Sequence, residues 1–217
     1  MVTTLLLLRH AHTEANEYGS TPRMAGWCDT PVSNRGEAQL DALRRVSLGP
    51  LAPLVYSSTA PRAIRTAAAA ARGRRIVPLR SLREISCGEV EGWLITEVAR
   101  RYPDSWRRNL AQDDPDFGWP GGESYRRFRE RVLGGLRGIA ARHRGTRVLV
   151  ATHAGAIAQV VGHAEGVSPA RWECYRPANC SVTTIEVEDD GTIRVLDFDR
   201  RIVPGITPAE GARRRAG

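Results

Sequence analysis

Two histidines in this chain stand at the ends of apolar runs, in settings suited to chemistry. His10 lies in L-L-L-L-R-H-A-H-T-E-A-N and His153 in V-L-V-A-T-H-A-G. A neutral imidazole nitrogen can attack phosphorus and form a phosphohistidine, which splits one difficult displacement into two steps. The ring must be neutral to attack, and its second nitrogen needs an acceptor that fixes the tautomer. A phosphoryl group in flight spreads charge over three oxygens, so its catalysis is mainly positioning and electrostatics. Arginine suits that task because its planar fork binds two phosphate oxygens together. Arg9, beside His10, is one candidate; Arg62, in S-S-T-A-P-R-A-I-R-T-A at a helix start, is the other. His153 and Asn16 can add donors. The leaving oxygen needs a proton, which Glu84 can supply before it activates the water that cleaves the phosphohistidine. No residue in this scheme demands a metal, and no cofactor is expected.

These groups need elements that bring them to one edge. Residues 3–8 form a continuous apolar run, the pattern of a strand covered on both faces. Ser33 can cap a helix over 34–45. A strand is expected at 54–57, and 60–72 favours helix by propensity, with Gly73 as its stop. A short strand at 75–79 follows. From 86 to 122 tryptophans and prolines mix with charges, which predicts a short helix over 95–102, loop elsewhere, and a lid-like insertion over a site. Ser124 opens a long helix to 143 on which Tyr125, Phe128, Val132, Leu136 and Ile139 make an apolar stripe. A buried strand at 147–152 and a helix at 155–162 come next. Residues 181–188 and 192–199 alternate around Asp190-Gly191, a hairpin signal. Residues 204–217 read as a flexible C-terminal tail. Strands alternating with helices give a mostly parallel sheet with helices on both faces, a three-layer α/β/α sandwich. Such sheets bind ligands beyond the carboxyl ends of their strands, where His10, His153 and Glu84 all fall.

Composition narrows the function classes. The 217 residues fit one α/β domain, over 1–203 by this reading. The formal charge of +8 invites a nucleic-acid partner, but all 32 basic residues are arginine, scattered along the chain among 24 acids. Nucleic-acid binders cluster their charge into a patch or stripe, so no nucleic-acid partner is expected. Cys28, Cys87, Cys174 and Cys180 lack metal-ligand spacing and read as free thiols of a cytoplasmic protein. The leucine run 5–8 is far too short for a membrane span and lacks the marks of a signal peptide, so no membrane association is expected.

In chain order the motifs R-H-A-H-T-E-A-N, A-G-W-C-D-T-P-V-S-N-R-G, S-S-T-A-P-R-A-I-R-T-A, L-R-E-I-S-C-G-E-V-E-G-W, P-G-G-E-S and V-L-V-A-T-H-A-G resemble the histidine phosphatase superfamily, the phosphoglycerate-mutase-like proteins. The resemblance spans about residues 5–195. It implies that His10 is phosphorylated, that Glu84 is the proton donor, and that Arg9, Arg62 and His153 form the phosphate pocket. It assigns Asn16 and the Ala25-Gly26 segment to substrate contacts, with Ala154 beside the phosphate. Two departures stand out: Ala11 and Ala154 replace the family's usual glycines, and His12 stands where glutamate or glutamine is common. The implied activity is metal-independent hydrolysis of a small phosphate monoester, with a phosphorylated metabolite as the partner molecule and a homodimer left open. A phosphoglycerate-type mutase is the alternative, and an inactive phosphate-binding or regulatory protein the further one.

Other residues receive plainer readings. Arg65 belongs to a solvated or packing face, and Ser124 to a helix cap. His143 and His163 read as structural or exposed. His12 divides between a contact behind the site and the loop surface. Gly26-Trp27 divides between a substrate contact and a turn with a packed indole. The tryptophans of 93–119 either line an entrance or fill a small satellite core.

Overall fold

The computed structural model describes residues 1–16 and 23–203. The tail expected at 204–217 and part of the loop after Asn16 lie outside the described residues. A six-stranded sheet has the order β3-β2-β4-β1-β5-β6. Its strands are β1 (Thr3–Arg9), β2 (Leu54–Ser58), β3 (Arg75–Leu79), β4 (Arg147–Thr152), β5 (Ser181–Val187) and β6 (Ile193–Arg201). β1, β2, β3 and β4 pair in parallel, whereas β5 pairs antiparallel to both β1 and β6. The sheet is therefore mostly parallel, with β5 reversed.

Side-chain alternation along β1 explains the layers. Leu5 and Leu7 pack into one apolar cluster with Phe128, Val132, Leu136, Ile157 and Val160. Leu6 and Leu8 point the other way, into a cluster with Leu40, Leu43, Ala67 and Ala70. The first cluster places α5 (Tyr125–Arg142) and α6 (Ala154–Ala164) on one face; the second places α1 (Asn34–Leu43) and α2 (Pro61–Ala71) on the other. All four leucines are fully buried, so truncating any one to alanine would cost about 2–5 kcal/mol. A continuous apolar run is what a strand covered on both faces requires.

Local chemistry sets the helix ends. The Ser33 hydroxyl accepts from the Gly36 N–H and starts α1; the Ser124 hydroxyl accepts from the Arg127 N–H and starts α5. Pro61 sits at the first position of α2, where its missing N–H costs nothing.

Between residues 86 and 122 the structure departs from expectation. α3 (Ile95–Arg101) is the short helix read from sequence, but a second helix, α4 (Pro103–Ala111), follows directly. The segment after residue 102 is expected as loop, yet Pro103 occupies the first turn of α4, a position that favours proline. This region has a satellite core of Cys87, Val90, Val98, Phe117, Trp119, Tyr125 and Ala170, with Trp93 and Trp106 packed against it. The tryptophans thus serve packing. Arg107 and Arg108 are ion-paired with Asp104 and Asp114.

Candidate active site

The carboxyl ends of three adjacent strands, β2, β4 and β1, deliver Ser58, His153 and His10. The ladder between β1 and β4 continues one step past the strands, with the His10 N–H donating to the Thr152 carbonyl at 3.0 Å. That register brings the two imidazoles together, with ring centroids 5.2 Å apart and planes inclined at 60°. His10 retains 6% of its surface and His153 none.

The hydrogen bonds of these rings constrain their protons. His10 Nδ1 lies 2.8 Å from the Ala11 carbonyl oxygen. A carbonyl only accepts, so Nδ1 carries the hydrogen, and in the neutral ring Nε2 keeps the lone pair. Burial, then the charges of Arg62 and Arg9, hold the His10 imidazolium well below its usual range. His10 is therefore a neutral imidazole whose lone pair sits on Nε2. His153 Nε2 pairs with Ser58 Oγ at 2.8 Å, while its buried Nδ1 has no protein partner. Burial and the neighbouring Arg62 likewise lower its pKa far below the usual value.

Arg62, in the first turn of α2, is 4% exposed. Its Nη1 donates to the Cys28 carbonyl at 2.7 Å and its Nη2 to the Gly26 carbonyl at 2.9 Å. Each of those nitrogens keeps a second hydrogen, and Nε keeps its own. The guanidinium is thus fixed from behind with donors to spare. Arg9, at the end of β1, donates from Nη1 to the Pro177 carbonyl at 2.6 Å. Ala11 is fully buried, and its N–H donates to Thr66 Oγ1 at 2.9 Å. Thr66 in turn donates to the Arg62 carbonyl one helical turn back.

Glu84 reaches the site from the segment after β3. Its Oε2 accepts from the Gly155 N–H at 2.9 Å and its Oε1 from the Ile85 N–H at 3.0 Å. Burial pushes its carboxyl upward, and these hydrogen bonds, with Arg62 and Arg9, offset part of that rise. A raised carboxyl is suited to donating a proton. Its backbone is fastened by Arg131, which donates to the carbonyls of Ser81, Arg83 and Glu84 and pairs with Glu123 at 2.7 Å.

The remaining candidates lie around this cluster. Gly26 approaches through its carbonyl on Arg62, and Ala25 closes the same turn by accepting from the Cys28 N–H at 2.7 Å. Asn16 Oδ1 accepts from the Thr13 N–H and from Asn179, whose amide also donates to the His10 carbonyl at 2.9 Å. Ala154 opens α6 next to His153. His12 is buried, its N–H donating to Gln39 and its Nδ1 paired with Ser33 Oγ, so it supports the turn from behind. Trp27 is more than a packed turn residue: its Nε1 donates to the Glu84 carbonyl, and the guanidiniums of Arg80 and Arg83 each lie over its ring, 4.9 and 4.8 Å from the centroid. Arg65 pairs with Glu37 on the surface.

Sequence reasoning missed Ser58, Thr66, Glu91, Asn179, Arg131 and Glu123. The serines preceding A-P-R and the glutamate of P-G-G-E-S were visible signals. Which loop each would meet depended on tertiary pairing. In a separate cavity at the opposite end of β1, bounded by Thr3, Arg137, Arg144 and Asp189, Asp189 pairs with Arg144 and the Met1 amino group, and Arg137 donates to the Gly191 carbonyl.

Similarity to known proteins agrees with this geometry. Residues 5–199 match the family model of the histidine phosphatase superfamily, branch 1. Phosphoserine phosphatase 1 of Hydrogenobacter thermophilus is 29% identical over 187 residues, covering 85% of this chain and 87% of that protein. The probable phosphoglycerate mutase GpmB of Salmonella paratyphi C is 30% identical, covering 84% of each. Among solved structures, Bacillus stearothermophilus YhfR superposes with a TM-score of 0.80 at 30% identity, over 92% of this chain and 98% of that one. With its paired imidazoles at the sheet edge and a family match over nearly its whole length, the chain belongs to the histidine phosphatase superfamily, branch 1.

Proposed function

We propose that the protein is a phosphoric monoester hydrolase that cleaves a small phosphate monoester through a phosphohistidine on His10. The observation that carries this reading is the contact of His10 Nδ1 with the Ala11 carbonyl oxygen, 2.8 Å away, from which the tautomer follows because a carbonyl only accepts. Nε2 is then the nucleophile. Arg62 and Arg9, with His153 through Nδ1, hold the phosphoryl oxygens, as preorganised donors do where charge accumulates. The His10 Nε2–P bond forms while the ester P–O bond breaks, and Glu84 gives its proton to the departing oxygen. The Glu84 carboxylate then takes a proton from water as the water oxygen attacks phosphorus. The P–N bond breaks, inorganic phosphate leaves, and His10 recovers its lone pair. One carboxyl thus serves both half-reactions.

Similarity to a phosphoserine phosphatase supports hydrolysis, and similarity to a probable phosphoglycerate mutase supports transfer between hydroxyls as the second reading. Asn16, Ala25, Gly26 and the region 86–122 are read as the substrate side of the pocket. A phosphate-release screen over sugar phosphates, phosphoserine, nucleotides and glycerate phosphates tests the proposal. Release of inorganic phosphate from at least one class, lost in His10→Ala, is the expected result. Interconversion of 3-phosphoglycerate without phosphate release selects the mutase, and phosphate binding without any turnover rejects catalysis.

A further inference from the structure

The region that holds Arg62 from behind depends on a carboxylate outside the pocket. Glu91 follows the short turn Gly88–Val90 and faces the loop 25–28. Its Oε2 accepts from the Trp27 N–H at 2.7 Å and the Cys28 N–H at 3.0 Å, and its Oε1 accepts from the Cys87 N–H at 2.8 Å. One side chain thereby accepts from three backbone donors in two segments far apart in sequence, sharing the Cys28 N–H with the Ala25 carbonyl, 2.7 Å away. The same loop presents the Gly26 and Cys28 carbonyls to Nη2 and Nη1 of Arg62. Backbone pairing reinforces the junction: Met24 N–H donates to the Trp93 carbonyl, and Gly92 N–H to the Met24 carbonyl.

Gly26 records how close the fit is. Its φ is +31°, a conformation that side chains disfavour, and a Cβ there would lie 2.5 Å from Glu91 Oε1. The carboxylate occupies the space a side chain would take. With its donors aimed at two carbonyls, Arg62 has no carboxylate within ion-pair distance among the described residues. Its orientation is therefore set by where those two carbonyls point. Rotation of the loop by one peptide would turn the fork away from the phosphoryl group.

We infer that Glu91 is a positioning residue for phosphate: by accepting from Trp27, Cys28 and Cys87 it fixes the two carbonyls that aim the Arg62 guanidinium. This rests on the assignment of Arg62 to the phosphate made above. Glu91 touches no reacting atom; it acts through the loop. Glutamine in its place keeps the shape, but its amide nitrogen cannot accept, so one of the segments must lose its hydrogen bond.

A double-mutant cycle tests the inference, because it isolates coupling between two groups. Wild type, Glu91→Gln, Arg62→Ala and the double variant are compared by equilibrium binding of inorganic phosphate and by kcat/KM for p-nitrophenyl phosphate. Glu91→Gln is expected to weaken phosphate binding roughly 10-fold with Arg62 present, the scale of one charge-assisted hydrogen bond. In the Arg62→Ala background the loss should shrink to about twofold or less. Equal losses in the two backgrounds would overturn the inference, since a residue that merely braces the fold acts irrespective of Arg62. An unchanged affinity in Glu91→Gln alone would also overturn it. Thermal unfolding accompanies each variant; if Glu91→Gln does not fold, Glu91→Asp, which keeps the charge but shortens its reach, enters the same cycle under the same criteria. The phosphate-binding readout stands without turnover, so absence of hydrolysis in the wild type defeats the proposed function while leaving the cycle interpretable.

Discussion

Replacing Gly155 with alanine isolates the role assigned to Glu84. Gly155 lies in the first turn of α6 and donates its N–H to Glu84 Oε2. A Cβ built there would overlap Glu84 Oε1 and lie 3.0 Å from its Cδ. The backbone N–H remains, so the carboxylate must yield by roughly 1 Å to restore an ordinary C···O separation of about 3.3 Å. The displaced atoms are the end of a side chain, and alanine favours helix over glycine by up to about 1 kcal/mol. The fold should therefore survive with its Tm unchanged or raised. Chemistry should not escape, because a misplacement of about 1 Å can cost roughly 10²-fold, or about 2.7 kcal/mol of transition-state stabilisation. The loss should depend on the leaving group. Phenyl phosphate, whose alkoxide-like product needs a proton, should show nearly the full effect in kcat/KM. For 2,4-dinitrophenyl phosphate the product departs without a proton, and the effect should be a few-fold at most. Steady-state kinetics on both substrates, with calorimetric Tm values, makes the measurement. Wild-type activity on phenyl phosphate in a folded Gly155→Ala protein would refute the reasoning, as would equal losses on both substrates.

Further outcomes follow from the same geometry. Glu84→Gln should lower kcat/KM for phenyl phosphate by about 10²–10⁴-fold, the usual contribution of a general acid, and should harm p-nitrophenyl phosphate less; equal loss for both places the acid elsewhere. Burial and the arginines depress His10, so its ring stays neutral and reactive to more acidic pH than a free histidine. Burial raises Glu84, so its donor form persists to higher pH than a free carboxyl and is lost as pH climbs through that raised value. The kcat/KM profile for phenyl phosphate should thus fall toward alkaline pH in the wild type and lose that limb in Glu84→Gln; an alkaline limb retained in the variant contradicts the assignment. Excess EDTA should leave turnover unchanged, because the scheme routes no step through a metal; a large loss reversed by added metal argues against it.

Much of this architecture was readable because hydrophobic runs and caps are local signals. The run 5–8 announced a strand buried on both faces, and Leu5 to Leu8 divide between two cores as that pattern demands. Ser33 and Ser124 cap helices where their spacing placed them. The helix at Pro103 was not legible because the mix of proline, tryptophan and charge over 86–122 hides its period, although proline belongs in a first turn. Site residues at strand ends were legible for a topological reason: in a parallel sheet the carboxyl ends share one edge, which placed His10 and His153 on the same side, while their contact depends on β1 and β4 being neighbours. The supporting shell was not legible in this way. Glu91, Ser58 and Arg131 act on loops from distant segments, and nothing local in E-V-E-G-W states that its second glutamate will meet the amides of Trp27 and Cys28. The tautomer of His10 likewise depends on the path of the chain at Ala11, which periodicity does not encode.

Rapid quenching tests the central claim most directly. Wild-type protein mixed with p-nitrophenyl phosphate should yield, within the first turnover, a protein carrying one acid-labile phosphoryl group, and fragment mapping should place it on His10. Phosphate released without any phosphorylated protein, or a label that maps to another residue, would contradict the account.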